Sequence, residues 1–189
     1  CCAYLRFTDG ETPKIQSIEE KELILSGEEC IKYCYSKDGR KIDIVAWNKM
    51  YKKSLFDKNK ILYPKGKYFE DLYTTYKLFF YSNKISINTS ELYFYRNRTG
   101  SIMTTPMTKE KYDNILEGLK DSLFFFENNE KKELVSLAFS MYGRTIIRTY
   151  YNSRKIKSKK IRNEIQFLLF NDYKKTYNNF KKKINISFV

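Results

Sequence analysis

"ISINTSELYFYRNR" (residues 85–98) is rich in β-formers and reads as an extended strand, broken at Asn88 to Ser90. The "TGSIMTTPMT" that follows (99–108) ends that character. From Lys109 onward the apolar spacing predicts helices only, over about 109–127, 130–153 and 158–182. Upstream the chain mixes both kinds of element. Residues 1–8 alternate as a strand, and "TDGETPK" (8–14) is a turn. Ser17 with Glu20 makes a capping-box pattern, so "SIEEKELILS" (17–26) is expected to open a helix near Ser17. "GEECIKYCYS" (27–36) predicts a second short helix, and "KDGRK" (37–41) another turn. Trp47, Met50, Tyr51 and Leu55 recur at helical spacing, "ILYP" (61–64) is an extended segment stopped by Pro64, and residues 70–81 are helical with a wide apolar face. The expected fold class is therefore α/β over residues 1–107, followed by a helical extension over 108–189.

A chain of 189 residues can bury one ordinary core, or one domain with an appendage. The hydrophobic share of 42% and aromatic share of 17% exclude an intrinsically disordered chain. The net charge of +14 is uneven. Residues 1–107 hold 18 Lys and Arg against 13 Asp and Glu, whereas residues 144–189 hold 13 against 2. Such a tail attracts phosphate, whether in nucleic acid, anionic lipid or a nucleotide; as a solvated basic helix face it needs no ligand. Within it Ile161, Ile165, Leu168, Leu169, Tyr173, Tyr177, Phe180 and Ile184 form one apolar stripe, which packs on the α/β part or on a second copy and leaves Lys181, Lys182 and Lys183 for an anionic surface. Cys1, Cys2, Cys30 and Cys34 match no familiar zinc spacing, and the chain has no His, so reduced, half-buried cysteines of a cytosolic protein are expected. The most apolar stretch, residues 134–151, is interrupted by Arg144 and Arg148, which argues against a membrane span. No signal peptide is apparent. The chain begins at Cys1, without Met and with a strand already in progress, as expected for a piece of a longer protein.

Three clusters could carry chemistry. Glu70 and Asp71 open an apolar helix, and as neighbours they cannot both face one site. The helix dipole is expected to lower the pKa of such a carboxylate, which suits a general base; the plainer reading is a charged helix start. Arg96 and Arg98 would share a strand face, with Ser101 just beyond. Two guanidiniums and a hydroxyl can hold a pyrophosphate, or they can guard an exposed sheet edge. Trp47, the single Trp, is followed by Asn48 and Lys49: an indole with an amide beside it suits a sugar ring, and it also suits a core.

In order, "AWNKMYKKSLF", "ILYPKGKYFEDLYT" and "LYFYRNRTGSIM" resemble the C-terminal half of bacterial family 2 glycosyltransferases, cytosolic enzymes of GT-A fold that build capsule, exopolysaccharide and lipopolysaccharide. The resemblance covers roughly residues 1–105, and even "CCAYLRFTDGE" is similar to the strand and turn after that family's metal-binding motif. It implies transfer of a sugar, usually with inversion, from a nucleotide-diphosphate sugar to an acceptor hydroxyl on a saccharide or a lipid-linked acceptor. It implies Asp71 as the catalytic base, Glu70 as its companion, and Trp47, Asn48 and Lys49 on the acceptor side. The matching Arg96, Arg98 and Ser101 segment could close over the diphosphate. Many relatives carry His where Arg98 stands, and Arg cannot bind a metal. The resemblance also implies a divalent metal, Mg or Mn, but the family's D-x-D motif and nucleotide-binding βαβ unit have no match here; Asp9, Asp38 and Asp43 stand in the wrong context. The metal ligands are therefore expected in an N-terminal half outside this sequence, and this chain alone is expected to be inactive. The alternatives are a basic nucleic-acid-binding module, for which no motif is recognised, or a helical interaction module without catalysis.

Overall fold

A computed structural model describes residues 1–14, 21–36 and 42–184 of the chain. The fold is mixed α/β with a helical extension, and it divides between Thr108 and Lys109 into two compact units. In chain order the first unit contains β1 (Cys2–Thr8), β2 (Glu22–Leu25), α1 (Gly27–Tyr35), α2 (Lys53–Asn59), α3 (Asp71–Phe80) and β3 (Ile85–Asn97).

The long strand β3 is the centre of a three-stranded sheet of order β1-β3-β2. β1 runs parallel to it, from Cys2 opposite Asn88 to Thr8 opposite Asn97. β2 runs antiparallel, with Glu22 opposite Asn88 and Leu25 opposite Ile85. The break expected at Asn88 to Ser90 does not interrupt β3. It appears instead as register shifts in the pairing with β1, between Cys2 and Ala3 and between Ala3 and Tyr4.

Two helical expectations are corrected. Residues 22–25 of the helix predicted from Ser17 form strand β2. An apolar run this short carries no decisive period, and its partner, sixty residues away, supplies the hydrogen bonds that settle it. The proposed cap at Ser17 and Glu20, like the "KDGRK" turn, lies outside the described residues. A capping box does exist one element later. Ser26 Oγ accepts from the Glu29 N–H, while Glu29 Oε2 accepts from the Ser26 N–H at 2.7 Å, and this opens α1. The helix read through Trp47 to Leu55 is confined to α2, from Lys53 onward. The backbone at Asn48 is diverted to β1, accepting the Cys2 N–H at 3.1 Å, and Met50 is left 97% exposed.

α1 packs on α3 by near backbone contact. A Cβ on Gly27 would sit 1.7 Å from the Phe79 carbonyl oxygen, and the Gly27 N–H donates to Ser82 O at 3.1 Å. Ile31, Tyr35, Tyr76, Leu78 and Phe79 are the buried core around this approach.

The second unit is a helical bundle of α4 (Lys109–Asn128), α5 (Lys132–Ser153) and α6 (Lys159–Phe180). On α4, Tyr112, Leu116, Leu119, Leu123 and Phe126 are buried at alternating steps of four and three, the spacing of a helix with one inward stripe. The α6 stripe packs against α5: Tyr173 stacks on Tyr142 at 6.2 Å, and Phe139 lies 6.5 Å from Phe180. Ile165, Leu169, Phe180 and Ile184 are buried as the stripe requires, but Ile161 is 48% exposed. Lys120 Nζ meets Asp172 Oδ1 at 2.5 Å and joins α4 to α6. Among the described residues no helix is long and apolar enough to cross a membrane.

Candidate functional site

The turn "KGKYFED" (65–71) delivers Asp71 to the first position of α3. Gly66 takes a left-handed φ of 75°, as glycine readily does, but Phe69 also adopts φ 58°. A bulky residue held there costs about 1–3 kcal/mol and persists only where its surroundings enforce it. The helix starts immediately afterwards, with the Leu72 N–H donating to Phe69 O at 2.9 Å and the Tyr73 N–H to Glu70 O at 3.3 Å. Glu70 occupies the N-cap position without a side-chain capping bond.

The dipole argument for a lowered Asp71 pKa is overturned. Burial, and next the charge of Glu70, push the Asp71 carboxyl up to about 6. The Leu72 N–H, the Lys49 ammonium and the Asp71 N–H pull the other way and lose. Desolvation outweighs the dipole because protein covers much of the carboxyl. At pH 7 such a group is still mostly ionised, and it is a stronger proton acceptor than an ordinary Asp.

Lys49 is its cationic neighbour. Its Nζ donates to Val45 O at 2.6 Å and to Asn48 Oδ1 at 2.7 Å, and lies 5.9 Å from the centre of the Phe79 ring. Burial lowers its pKa to about 8, against the pull of the neighbouring Cys34, Asp43, Asp71 and Cys2 side chains. Asn48 is buried and fixed in turn, with its Nδ2 donating to Cys2 O at 2.8 Å. A line of hydrogen bonds thus runs from the start of β1 through Asn48 to the Lys49 ammonium. The Asn48 amide is engaged on both sides, which makes it a positioning group.

Trp47 lies over two rings of β3, at 4.6 Å from Tyr93 and 4.8 Å from Tyr95, and meets Tyr4 edge-on at 4.6 Å. Tyr4 donates to Asp43 Oδ2 at 2.7 Å and accepts from Arg6 at 3.0 Å. The indole is therefore part of an aromatic platform on one face of the sheet.

Arg96 alternates to the opposite face from Tyr95 and forms an ion pair with Asp9 at 3.6 Å. Both partners are more than half exposed, so the pair adds little stability. Arg98 lies just past the end of β3, and its carbonyl accepts from the Thr104 hydroxyl at 3.0 Å. Ser101 Oγ shares a 3.0 Å hydrogen bond with Thr104 Oγ1. The proposed residues thus fall into two groups. Asp71, Glu70 and Lys49 are together, with Asn48 and Trp47 joined to them through the backbone and the Lys49 bond. Arg96, Arg98 and Ser101 form a separate group at the C-terminal end of β3.

Tyr63 and Tyr51 lie within electrostatic reach of Asp71, and Thr75 follows it one turn along α3. Burial and the carboxylates at 71 and 70 raise the Tyr63 phenol, and burial raises the Tyr51 phenol. Tyr51 approaches Thr75. Neither hydroxyl completes a hydrogen bond, although both are buried. Thr75 was findable from the sequence, standing four residues after Asp71 on the same helix face; Tyr51 and Tyr63 reach the site only through the tertiary fold. Burial raises the Cys30 thiol to about 11 and the Cys34 thiol further, and Cys34 donates to Ile42 O at 3.1 Å. Among the described residues no three Cys, Asp or Glu side chains converge as a metal requires. No protein-family model matches this sequence, and no curated protein matches it significantly.

Proposed function

We propose that residues 1–108 supply the acceptor side of a glycosyl-transfer site, the reaction implied by the resemblance to family 2 glycosyltransferases, with Asp71 as general base. One observation carries the reading: a half-buried carboxyl at the start of α3, raised to about 6, lies within electrostatic reach of an ammonium fixed by two hydrogen bonds. A base near neutrality is better matched to a hydroxyl proton than an ordinary Asp.

In the step assigned to it, the acceptor oxygen forms its bond to the anomeric carbon as the bond from that carbon to the diphosphate oxygen breaks. The nucleoside diphosphate departs with the electron pair, and the hydroxyl proton passes to Asp71. Lys49 favours the ionised form of Asp71, and the adjacent Glu70 carboxylate opposes it. The Arg96, Arg98 and Ser101 group is assigned to the diphosphate on charge alone. The divalent metal implied by the resemblance finds no ligand set among the described residues, and no step is built on it.

The test uses the intact gene product that carries this chain, with release of nucleoside diphosphate from a panel of nucleotide sugars as the readout. Asp71→Asn is expected to lower kcat by about 10²–10⁴ with donor KM little changed. In the wild type, kcat is expected to fall as pH drops through about 6, where Asp71 takes up its proton. A variant that turns over at the wild-type rate would remove Asp71 from the role. The 189-residue chain alone is expected to show no turnover.

A further inference from the structure

The helical unit leaves a set of large apolar side chains in water. Ile147 and Tyr151 on α5 are each 59% exposed, Phe170 on α6 is 63% exposed, and Phe167 one turn earlier is 71% exposed. Three of these four line a single groove of about 300 Å³ between α5 and α6, with Tyr150, Leu169 and Arg154. Scattered exposed apolar residues need no explanation, but a contiguous groove of them does.

Charge accompanies the groove. Residues 148–160, the end of α5 and the loop into α6, contain Arg148, Arg154, Lys155, Lys157, Lys159 and Lys160, and no Asp or Glu. All six cations are exposed. Arg154 lies at the mouth, its guanidinium 4.7 Å from the centre of the Tyr151 ring. The terminal lysines are differently placed. Lys183 pairs with Glu127 of α4 and lies 5.6 Å from the Phe180 ring, so part of that run holds α6 in the bundle.

We propose that the α5–α6 groove and its basic loop form a docking surface for an anionic lipid bilayer, with Phe167, Phe170, Ile147 and Tyr151 entering the headgroup and acyl boundary. An apolar centre ringed by cations is the pattern that interfacial helices present to such a surface. A second copy fits it less well, because two loops without a carboxylate would repel when brought together. Single-stranded nucleic acid also fits it less well: it stacks on open rings, whereas here Ile147 and Leu169 supply much of the wall and Arg154 covers Tyr151. The inference does not rest on glycosyl transfer and survives its failure.

The probe is sedimentation of the 189-residue chain with vesicles of phosphatidylcholine alone, and with about 30 mol% phosphatidylglycerol, at about 0.1 M salt. Binding is expected to the anionic vesicles only. Lys155→Glu with Lys157→Glu is expected to weaken it by about tenfold or more. Phe167→Ser with Phe170→Ser is expected to remove the binding that remains at about 0.5 M salt. Both aromatic side chains are exposed, so this variant should keep its helical circular dichroism. Lys181→Glu with Lys182→Glu is expected to change binding by less than about threefold. Absence of binding to anionic vesicles would overturn the proposal. So would binding indifferent to Phe167 and Phe170, or a phenylalanine variant whose only effect is to dissociate a dimer.

Discussion

The two units treat buried hydroxyls in opposite ways. In the helical unit Tyr142 is buried, donates to Asp172 Oδ2 at 2.7 Å and meets Thr176 Oγ1 at 3.1 Å, while the other oxygen of Asp172 takes Lys120. In the sheet unit the Tyr51, Thr74 and Thr75 hydroxyls are buried and make no hydrogen bond. The remaining unpartnered buried side-chain atoms among the described residues, Ser90 Oγ and Glu91 Oε2, lie in the sheet unit as well. A polar atom enclosed without a partner costs about 1–3 kcal/mol, so most proteins avoid it. Among the described residues the helical unit obeys that rule. The sheet unit breaks it close to Asp71, where a strained Phe69, a carboxyl raised by burial and an ammonium lowered by burial also collect. Under the proposed function, this is where stability would be given up for chemistry.

The contrast can be broken most severely at Gly27. Its replacement by Ala puts a methyl carbon 1.7 Å from the Phe79 carbonyl oxygen, with backbone on both sides of the clash. A loss of more than about 4 kcal/mol is expected, confined to the sheet unit. Hydrogen exchange should show protection lost before Thr108 and retained in α4 to α6; a loss shared by both units would mean that they fold as one.

Asp71→Asn sharpens the comparison through pH. The Asp71 carboxyl titrates near 6 in the folded chain against an ordinary 3.8, so ionising it opposes folding. That penalty is fully present above about pH 6, shrinks as pH falls through the interval, and vanishes below about 3.8. The amide should therefore stabilise the chain at pH 8 by about 1–2 kcal/mol, allowing for water still reaching the carboxyl and for the neighbour Lys49 loses. Denaturant melts at pH 8 and pH 3.5 check this, and an equal gain at both would remove the electrostatic explanation.

The smallest effects separate the tyrosines. Tyr142→Phe should cost about 1–2 kcal/mol, because Asp172 and Thr176 lose a partner. Tyr51→Phe should be neutral or stabilise by up to about 1 kcal/mol, because its hydroxyl has no partner to lose. Paired urea melts decide it, and equal losses would show that the Tyr51 hydroxyl is satisfied after all.

What could be read from the residues follows the distance over which each feature is determined. α4, α5 and α6 were legible because their apolar spacing is local and long enough to fix a period. α3 was legible for the same reason. β2 was not, since "ELIL" becomes a strand only beside Ile85–Asn88. Glu70 and Asp71 were legible as a helix start, but the direction of the Asp71 shift was not, because it depends on how much protein covers the carboxyl. Asn48 reads as a free amide in the sequence and is held by Cys2, forty-six residues away. Ser26 and Glu29 carry the same capping signature as Ser17 and Glu20, and theirs opens α1.

The parallel pairing of β1 with β3 also bears on how the chain is made. β1 leaves the ribosome before β3, and its partner residues run from Asn88 to Asn97. At about 5–20 residues per second, β1 waits on the order of ten seconds before its ladder can form. The helical unit then follows with contacts that are mostly between neighbouring helices, which close fast. The aromatic platform beneath Trp47, built from Tyr4 of β1 and Tyr93 and Tyr95 of β3, can be assembled only after that wait, so for that interval β1 is open to whatever holds or captures nascent strands.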